Sequence, residues 1–117
     1  HHAQKQDSPS GTALALAAQI VKEGAAGKTG VAAPGALAQR PPTPAELSIG
    51  SVRAGGIAGR HSVHWHSAVD SLTLTHEAYS REGFAQGALW AARWLVERGE
   101  PGRAYDFEAV FREMDRQ

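Results

Sequence analysis

The fold is decided by residues 46–79, which read ELSIGSVRAGGIAGRHSVHWHSAVDSLTLTHEAY. Apolar and polar residues alternate along this stretch with a period of two, and Val, Ile, Thr and Trp recur in it, a pattern typical of half-buried strands. We interpret it as three consecutive short strands, with one reversal at Gly55-Gly56 and another at residues 67–70. The three strands are expected to form an antiparallel meander with one face free to take a helix.

Helices are predicted on both sides of these strands. Residues 12–23 are rich in Ala, Leu, Gln and Lys, which are good helix formers. Ser80 is expected to cap a second helix over residues 81–98, whose apolar arc is so wide that we expect burial on more than one side. Asp106 is expected to cap a short last helix. The predicted fold class is therefore α+β, a small mixed or antiparallel sheet covered by helices.

Between the first helix and the strands, residues 25–45 are rich in Gly, Ala and Pro. A structureless stretch of this length is unusual inside a compact domain and often forms a functional or flexible loop. We therefore expect a long loop without regular structure here.

Composition excludes several classes of protein. The 117 residues carry 12 basic and 12 acidic side chains, and this balance argues against a nucleic-acid partner. The absence of cysteine excludes a disulfide framework, a cysteine zinc site and thiol catalysis. No apolar run approaches the length of a membrane span, so no membrane association is expected. The length fits one compact domain. Since Met114 is the only methionine, we expect the chain to be part of a longer gene product.

A candidate site lies at the start of the chain, where HHAQKQDSPSGT leads into the first helix. The first turn of a helix presents free N–H groups and a positive dipole to an anion, and Gly11 lets a ligand approach the backbone closely. The polar side chains available there are Lys5, Ser10, Thr12 and the imidazoles of His1 and His2. This combination predicts a pocket for a carboxylate or phosphate with a proton donor beside it. The alternative is that Ser10 or Thr12 only caps the helix and that His1-His2 is the remnant of a tag.

The segment HHAQKQDSPSGTA at residues 1–13 resembles the HHxxKxDxPSGTA motif of the 4-hydroxy-tetrahydrodipicolinate reductase family, also called dihydrodipicolinate reductase. Further segments resemble that family in the same order: VRAG at 52–55, the pair Gly59-x-His61, LTHEAYSREGFAQGALWAARWL at 74–95, and YDFEAVF at 105–111. The similarity covers most of the chain apart from residues 25–45.

This resemblance implies a two-domain enzyme. Its N-terminal Rossmann domain would hold NADPH or NADH, and its C-terminal α+β domain would bind the substrate and build a homotetramer through its sheet. Residues 1–117 are similar to the second domain only, and they contain no GxGxxG turn. The implied activity is the NAD(P)H-dependent reduction of (2S,4S)-4-hydroxy-tetrahydrodipicolinate to tetrahydrodipicolinate, in the cytoplasmic diaminopimelate and lysine pathway. The chain on its own is expected to be inactive.

The resemblance also assigns roles to individual residues. His1 would be the catalytic proton donor and Lys5 its partner acid. The residues that would bind the carboxylates of the dicarboxylate substrate are His2, Ser10, Gly11, Thr12 and Arg81. No metal is implied.

Two alternatives stay open. The family places acidic residues at the positions of Gly56 and Arg60, and residues 25–45 also depart from its pattern. These differences allow a non-catalytic or altered-substrate relative that acts as a dicarboxylate-binding or assembly module. The second alternative is a metal site at His64 and His66, which share a strand face about 7 Å apart. His61 points the other way, and no carboxylate or cysteine is spaced to complete that site.

Overall fold

The computed structural model describes residues 1–114, so the last three residues of the predicted domain 1–117 lie outside the described residues. The chain divides into two compact units, residues 1–77 and residues 78–117. The helices are α1 (Gly11–Lys22), α2 (Pro34–Leu37), α3 (Glu82–Arg98) and α4 (Phe107–Met114), and a single 3₁₀ turn covers Ala25–Gly27. The strands are β1 (Gly30–Ala32), β2 (Glu46–Ser48), β3 (Gly59–His66) and β4 (Ser71–Ala78). These elements confirm the predicted α+β class.

The predicted three-stranded meander is wrong. Among the described residues, the strands form two separate pairs, β1 with β2 and β3 with β4. The β1–β2 pair is parallel, with Gly30 opposite Glu46 and Ala32 opposite Ser48. The first predicted strand therefore pairs with a preceding segment and leaves the other two as an isolated hairpin.

The segment predicted as a loop without regular structure contains a 3₁₀ turn, β1 and α2. Pro34 stands in the first turn of α2, where its fixed φ favours a helix start. Beyond α2, the Arg40 guanidinium binds the Glu46 carboxylate through two hydrogen bonds of 2.7 and 2.9 Å. This pair ties the end of the crossover to the start of β2, so the Pro-rich segment is held in place.

The core of the first unit is small and built from alanines. Ala17 of α1 and Ala32 of β1 are both buried, and α1 packs against β1. A helix face of small side chains allows such close packing. Ser10, just before α1, is also buried, which sets it apart from the other polar residues among positions 1–114.

The β3–β4 hairpin confirms the second and third predicted strands and the turn at residues 67–70. Ser67 N–H donates to Asp70 O at 2.9 Å, and Ser67 Oγ donates to Asp70 Oδ1 at 2.5 Å. One face of the hairpin carries a row of polar cross-strand pairs: Arg60–Glu77 at 2.6 Å, Ser62–Thr75 at 2.9 Å and His64–Thr73 at 3.1 Å. Strand alternation places His61 on the opposite face.

In the second unit, α3 begins at Glu82 with Arg81 at its N-cap, so the predicted cap at Ser80 is wrong by one residue. Ser80 Oγ, one position earlier, still accepts a hydrogen bond from Glu82 N at 3.2 Å. Trp94 is buried and meets the ring of Tyr105 edge-on, with centroids 5.0 Å apart. The expected burial of α3 on more than one side is wrong for the single chain. Large apolar side chains of α3 remain exposed, namely Phe84, Leu89, Trp90, Leu95 and Val96.

Across the described residues, no helix combines the length and the apolar character that a bilayer crossing requires.

Candidate active site

Residues 1–3 lie along residues 52–55 through backbone hydrogen bonds. The His1 nitrogen donates to Val52 O at 3.1 Å, Ala54 N donates to His1 O at 3.0 Å, and Ala3 N donates to Gly55 O at 3.1 Å. The VRAG segment therefore holds the first histidine in place. These backbone hydrogen bonds bring the motif at the start of the chain next to the VRAG segment, although the two are far apart in the sequence.

The His1 imidazole lies on Gly59, the first residue of β3. A Cβ atom at position 59 would lie only 3.2 Å from His1 Cε1, so glycine leaves the space that this ring occupies. The His61 ring meets it edge-on, with centroids 5.3 Å apart and planes at 70°. His1 Nε2 is buried and has no hydrogen-bond partner among the described residues. An imidazole nitrogen held in this way keeps its hydrogen-bonding capacity for a ligand.

Ser10 occupies the N-cap of α1 with an extended backbone, and its Oγ accepts a hydrogen bond from Ala13 N at 3.1 Å. The same Oγ lies 3.2 Å from His61 Nε2. Ser10 is 5% exposed, whereas Gly11 and Thr12 are exposed at the mouth of the helix. A Cβ on Gly11 would meet nothing within 4 Å, so the space above the helix start is open. Ser10 therefore caps the helix and also lies at the helix start where the anion pocket was predicted.

Lys5 lies in a short turn in which its N–H donates to His2 O at 3.2 Å. Its ammonium forms an ion pair with Asp7 Oδ1 at 2.7 Å. The hydrogen bond from Lys5 is the main cause that lowers the pKa of the Asp7 carboxyl below its ordinary value. Both side chains are partly open to solvent, so Lys5 can exchange this partner for an incoming carboxylate.

Arg53 also binds the segment that carries Lys5 and Asp7. Its Nη2 donates to Asp7 O at 2.5 Å and its Nη1 donates to Val52 O at 2.9 Å, while its Nε is buried without a partner among the described residues. Neither Arg53 nor His61 was among the predicted site residues. The signal that could have found them was present, because both lie in the downstream segments that resemble the reductase family.

His61 links the predicted residues of the site to one another. Burial lowers the pKa of its imidazole below the ordinary 6.5, and the positive charges of His76, Arg53 and Lys5 lower it further. The ring is therefore neutral at pH 7, with one nitrogen able to donate and the other able to accept. Through this ring, the structure brings His1 and Ser10 to a common neighbour.

Arg81 stands at the start of α3 in the second compact unit, with its side chain exposed. Its role in substrate binding stays a prediction.

The alternative metal site consists of two histidines only. The rings of His64 and His66 stack 6.4 Å apart with an interplanar angle of 13°, and His64 Nδ1 lies 3.1 Å from Thr73 Oγ1. The described part of the chain contains no group of three or more His, Cys, Asp or Glu side chains placed to hold a metal ion. The structure thus gives the metal alternative no third ligand.

Arg60, which stands where the family has an acidic residue, pairs with Glu77 across the hairpin. It belongs to the polar face of β3 and not to the cluster around His1.

Comparison with known proteins identifies the family of the chain. Residues 1–111 match the family described as "Dihydrodipicolinate reductase, C-terminus". Proteins named 4-hydroxy-tetrahydrodipicolinate reductase are similar over most of the chain. The relative from Nitratidesulfovibrio vulgaris (strain DP4) is 39% identical over 114 residues, covering 95% of this chain and 43% of its own length. The relative from Syntrophus aciditrophicus is 43% identical over 115 residues, with 94% and 41% coverage. The relative from Archaeoglobus fulgidus is 42% identical over 106 residues, with 87% and 40% coverage.

The chain thus spans about two-fifths of the length of these relatives. The matched region includes the predicted catalytic and carboxylate-binding residues together with Arg53, Gly59 and His61. With 111 of 117 residues matched, the chain belongs to the family of dihydrodipicolinate reductase C-terminal domains.

Proposed function

We propose that residues 1–117 are the substrate-binding and catalytic C-terminal domain of an NAD(P)H-dependent 4-hydroxy-tetrahydrodipicolinate reductase. The enzyme would reduce (2S,4S)-4-hydroxy-tetrahydrodipicolinate to tetrahydrodipicolinate in diaminopimelate and lysine biosynthesis. One observation carries the proposal: the His1 ring and the Ser10 hydroxyl, the proton donor and a carboxylate ligand of the family motif, both contact His61. Two residues of the motif that lie nine positions apart in the sequence therefore share one neighbour.

The part of the chain that the structure describes contains no site that fits the cofactor. A dinucleotide site needs a glycine-rich turn that follows a strand and leads into a helix of several turns. The only parallel strand pair among the described residues has strands of three residues, and the helix between them, α2, has four. We therefore assign cofactor binding to an N-terminal Rossmann domain of a longer protein. A bound nicotinamide cofactor, NADPH or NADH, supplies the hydride.

The role of this domain is to position the substrate and to supply a proton. The 4-hydroxyl of the substrate would leave as water, and hydride addition to the resulting conjugated ring builds negative charge, which a positioned acid must neutralise by protonation. His1 would make this transfer; its Nε2 has no hydrogen-bond partner among the described residues, and its ring is held between Gly59 and His61. Lys5 would act as the partner acid and add positive charge beside the substrate.

The substrate carboxylates would bind at the start of α1. Free N–H groups and the helix dipole stabilise an anion there, and the open space above Gly11 admits it to the backbone. Ser10 and Thr12 would add hydroxyl donors, and His2 and Arg81 would add further donors from outside the helix.

Titration with pyridine-2,6-dicarboxylate, a flat mimic of the ring substrate, tests this proposal. Calorimetry on the complete reductase with its cofactor should show binding that weakens at higher salt, because the attraction between partly exposed charges is screened. Lys5→Ala should abolish most of this binding. Lys28→Ala is the matched control, since the Lys28 ammonium is bonded to Pro44 O away from the site. Absence of binding by the wild-type complete protein would overturn the proposal.

The second candidate is a relative without reductase activity that binds dicarboxylates or serves in assembly. Arg60 and Gly56 favour it, because neither retains the acidic residue of the family at that position. Turnover of the family substrate by the complete protein decides between the two, since only the reductase consumes NADPH or NADH with that substrate.

We also propose that the reductase is a cytoplasmic homotetramer assembled through the sheet of this domain. Leu72 and Leu74 of β4 are 65% and 66% exposed in the single chain, and burial of such side chains favours association. Light scattering should give the mass of a tetramer for the wild type and a smaller mass for the Leu72→Glu/Leu74→Glu variant. A monomeric wild-type protein would contradict this assembly.

A further inference from the structure

His61 lies beside His1 and Ser10 in the candidate active site, although it is neither the proposed proton donor nor one of the proposed carboxylate ligands. Its Nε2 lies 3.2 Å from Ser10 Oγ. Its ring meets the His1 ring edge-on, with the two ring centroids 5.3 Å apart. It comes from β3, an element distinct from the segment and helix that carry the other residues of the site. Its effect on the reaction must therefore pass through the groups that it touches.

The hydrogen-bonding capacity of Ser10 Oγ explains what that effect is. A hydroxyl can donate one hydrogen bond and accept two. Ser10 Oγ already accepts one from Ala13 N, which leaves one acceptor position and the single proton. If His61 Nε2 accepts the proton, Ser10 has nothing to donate to a ligand. If Nε2–H donates to Oγ, the hydroxyl proton is free to point into the site.

We propose that His61 is a positioning residue for substrate binding: in the dicarboxylate-bound enzyme, its Nε2–H donates to Ser10 Oγ and so directs the Ser10 proton to a substrate carboxylate. The proposal rests on the proposed function, because it assumes that a carboxylate binds at the start of α1. Ser10 is buried, so the ligand is the natural acceptor for its proton in the bound state. The neutral ring can switch tautomer, donating to Ser10 when ligand is bound and accepting from Ser10 when the site is empty.

A double-mutant cycle on the complete reductase tests this coupling. His61→Leu removes the donor, so the Ser10 proton is no longer directed to the carboxylate. We expect the inhibition constant of pyridine-2,6-dicarboxylate to rise about 10-fold, because the hydrogen bond weakened in this way is the one from Ser10 to a charged group. His61→Gln keeps an N–H donor on a side chain of similar reach and should stay within about 3-fold of the wild type. In a Ser10→Ala background, His61→Leu should add less than about 2-fold, because the group through which it acts is absent.

A measurement on the unaltered protein tests the proposal independently of how the variants fold. Nitrogen chemical shifts of the histidine rings in the pyridine-2,6-dicarboxylate complex report which ring nitrogen carries the proton. The His61 signal is identified by its loss in His61→Gln. We expect the proton on Nε2, and a complex in which only Nδ1 of His61 is protonated would overturn the proposal.

The possible failures can be told apart. If wild-type reductase does not bind pyridine-2,6-dicarboxylate, the proposed function is overturned and this inference with it. If the wild type binds but the effects of His61→Leu and Ser10→Ala are additive, only the role of His61 is overturned.

Discussion

The imidazole of His1 packs tightly against Gly59: a Cβ atom there would lie 3.2 Å from His1 Cε1, so the ring would have to shift by a few tenths of an ångström to admit it. Because His61 contacts the same ring, the predicted proton donor is held between two residues of one strand. The start of β3 thus acts as a wall of the candidate active site.

This packing predicts that Gly59→Ala displaces the His1 ring by a few tenths of an ångström. Small displacements of a reacting group are costly, so we expect turnover by the complete reductase to fall about 10-fold. Gly56→Ala is the matched control, because a Cβ there meets nothing within 4 Å, and it should change turnover by less than about 2-fold. Equal turnover in the two variants would show that the His1 ring need not occupy this position.

The proton-donor role of His1 predicts a large loss of turnover in His1→Gln. A positioned acid contributes about 100-fold or more to such a reaction, and glutamine cannot supply the proton. Steady-state kinetics of the complete enzyme measure this loss. His64→Gln is the control, since His64 lies on the polar face of the hairpin and bonds to Thr73. A greater loss in His64→Gln would place the active site on that face instead.

The open space above Gly11 predicts that Gly11→Val acts on substrate binding more than on chemistry. The added side chain fills the approach to the helix N–H groups, so KM should rise about 10-fold while kcat changes far less. Gly50→Val, also in open space but outside the site, is the control and should leave KM unchanged. A fall in kcat at constant KM would show that no carboxylate approaches Gly11.

The Arg40–Glu46 pair predicts an acid-sensitive contribution to stability. The hydrogen bonds from Arg40, and then from Thr43 N, lower the pKa of Glu46 from 4.5 to about 2. The folded state therefore binds the Glu46 proton more weakly than the unfolded state does. The resulting stabilisation is fully present above pH 4.5 and is lost as the pH falls towards 2.

Urea unfolding of the chain and of Glu46→Gln measures this contribution. The wild type should be the more stable of the two at pH 7, and the difference should shrink at pH 3. Glu100→Gln removes a carboxylate from an exposed pair with Arg103 and serves as the control, with little expected effect at either pH. A difference between wild type and Glu46→Gln that is the same at pH 7 and pH 3 would contradict the assignment.

The hairpin was predictable from the sequence, because its determinants are local. Period-two alternation indicates β3 and β4, and Ser67 and Asp70 form the turn between them through their own hydrogen bonds. The pairing of β1 with β2 was not predictable in this way. Each strand has only three residues, and each is stabilised by a partner on the far side of a Pro-rich crossover. No pattern within Gly30–Ala32 distinguishes that strand from a loop.

The same distinction between local and tertiary determinants applies to the residues of the candidate site. Lys5, Ser10 and Gly11 lie close together in sequence, so a helix-start pattern and a family motif were enough to identify them. His61 reaches the site only because β3 returns to the start of α1, which is a tertiary relationship. The alternation that separates His61 from His64 and His66 was the available clue, and it showed that these histidines do not form one cluster.

The polar pairs along the hairpin have a consequence for how this family can vary. Arg60–Glu77, Ser62–Thr75 and His64–Thr73 lock the two strands in one register, and that register alone turns His61 towards Ser10. An insertion or deletion of one residue between Gly59 and His64 would exchange the two faces and present Arg60 or Ser62 to the helix start. Changes of length should therefore be tolerated in the exposed turn at 67–70 but selected against in β3, even though most of that strand never touches a ligand.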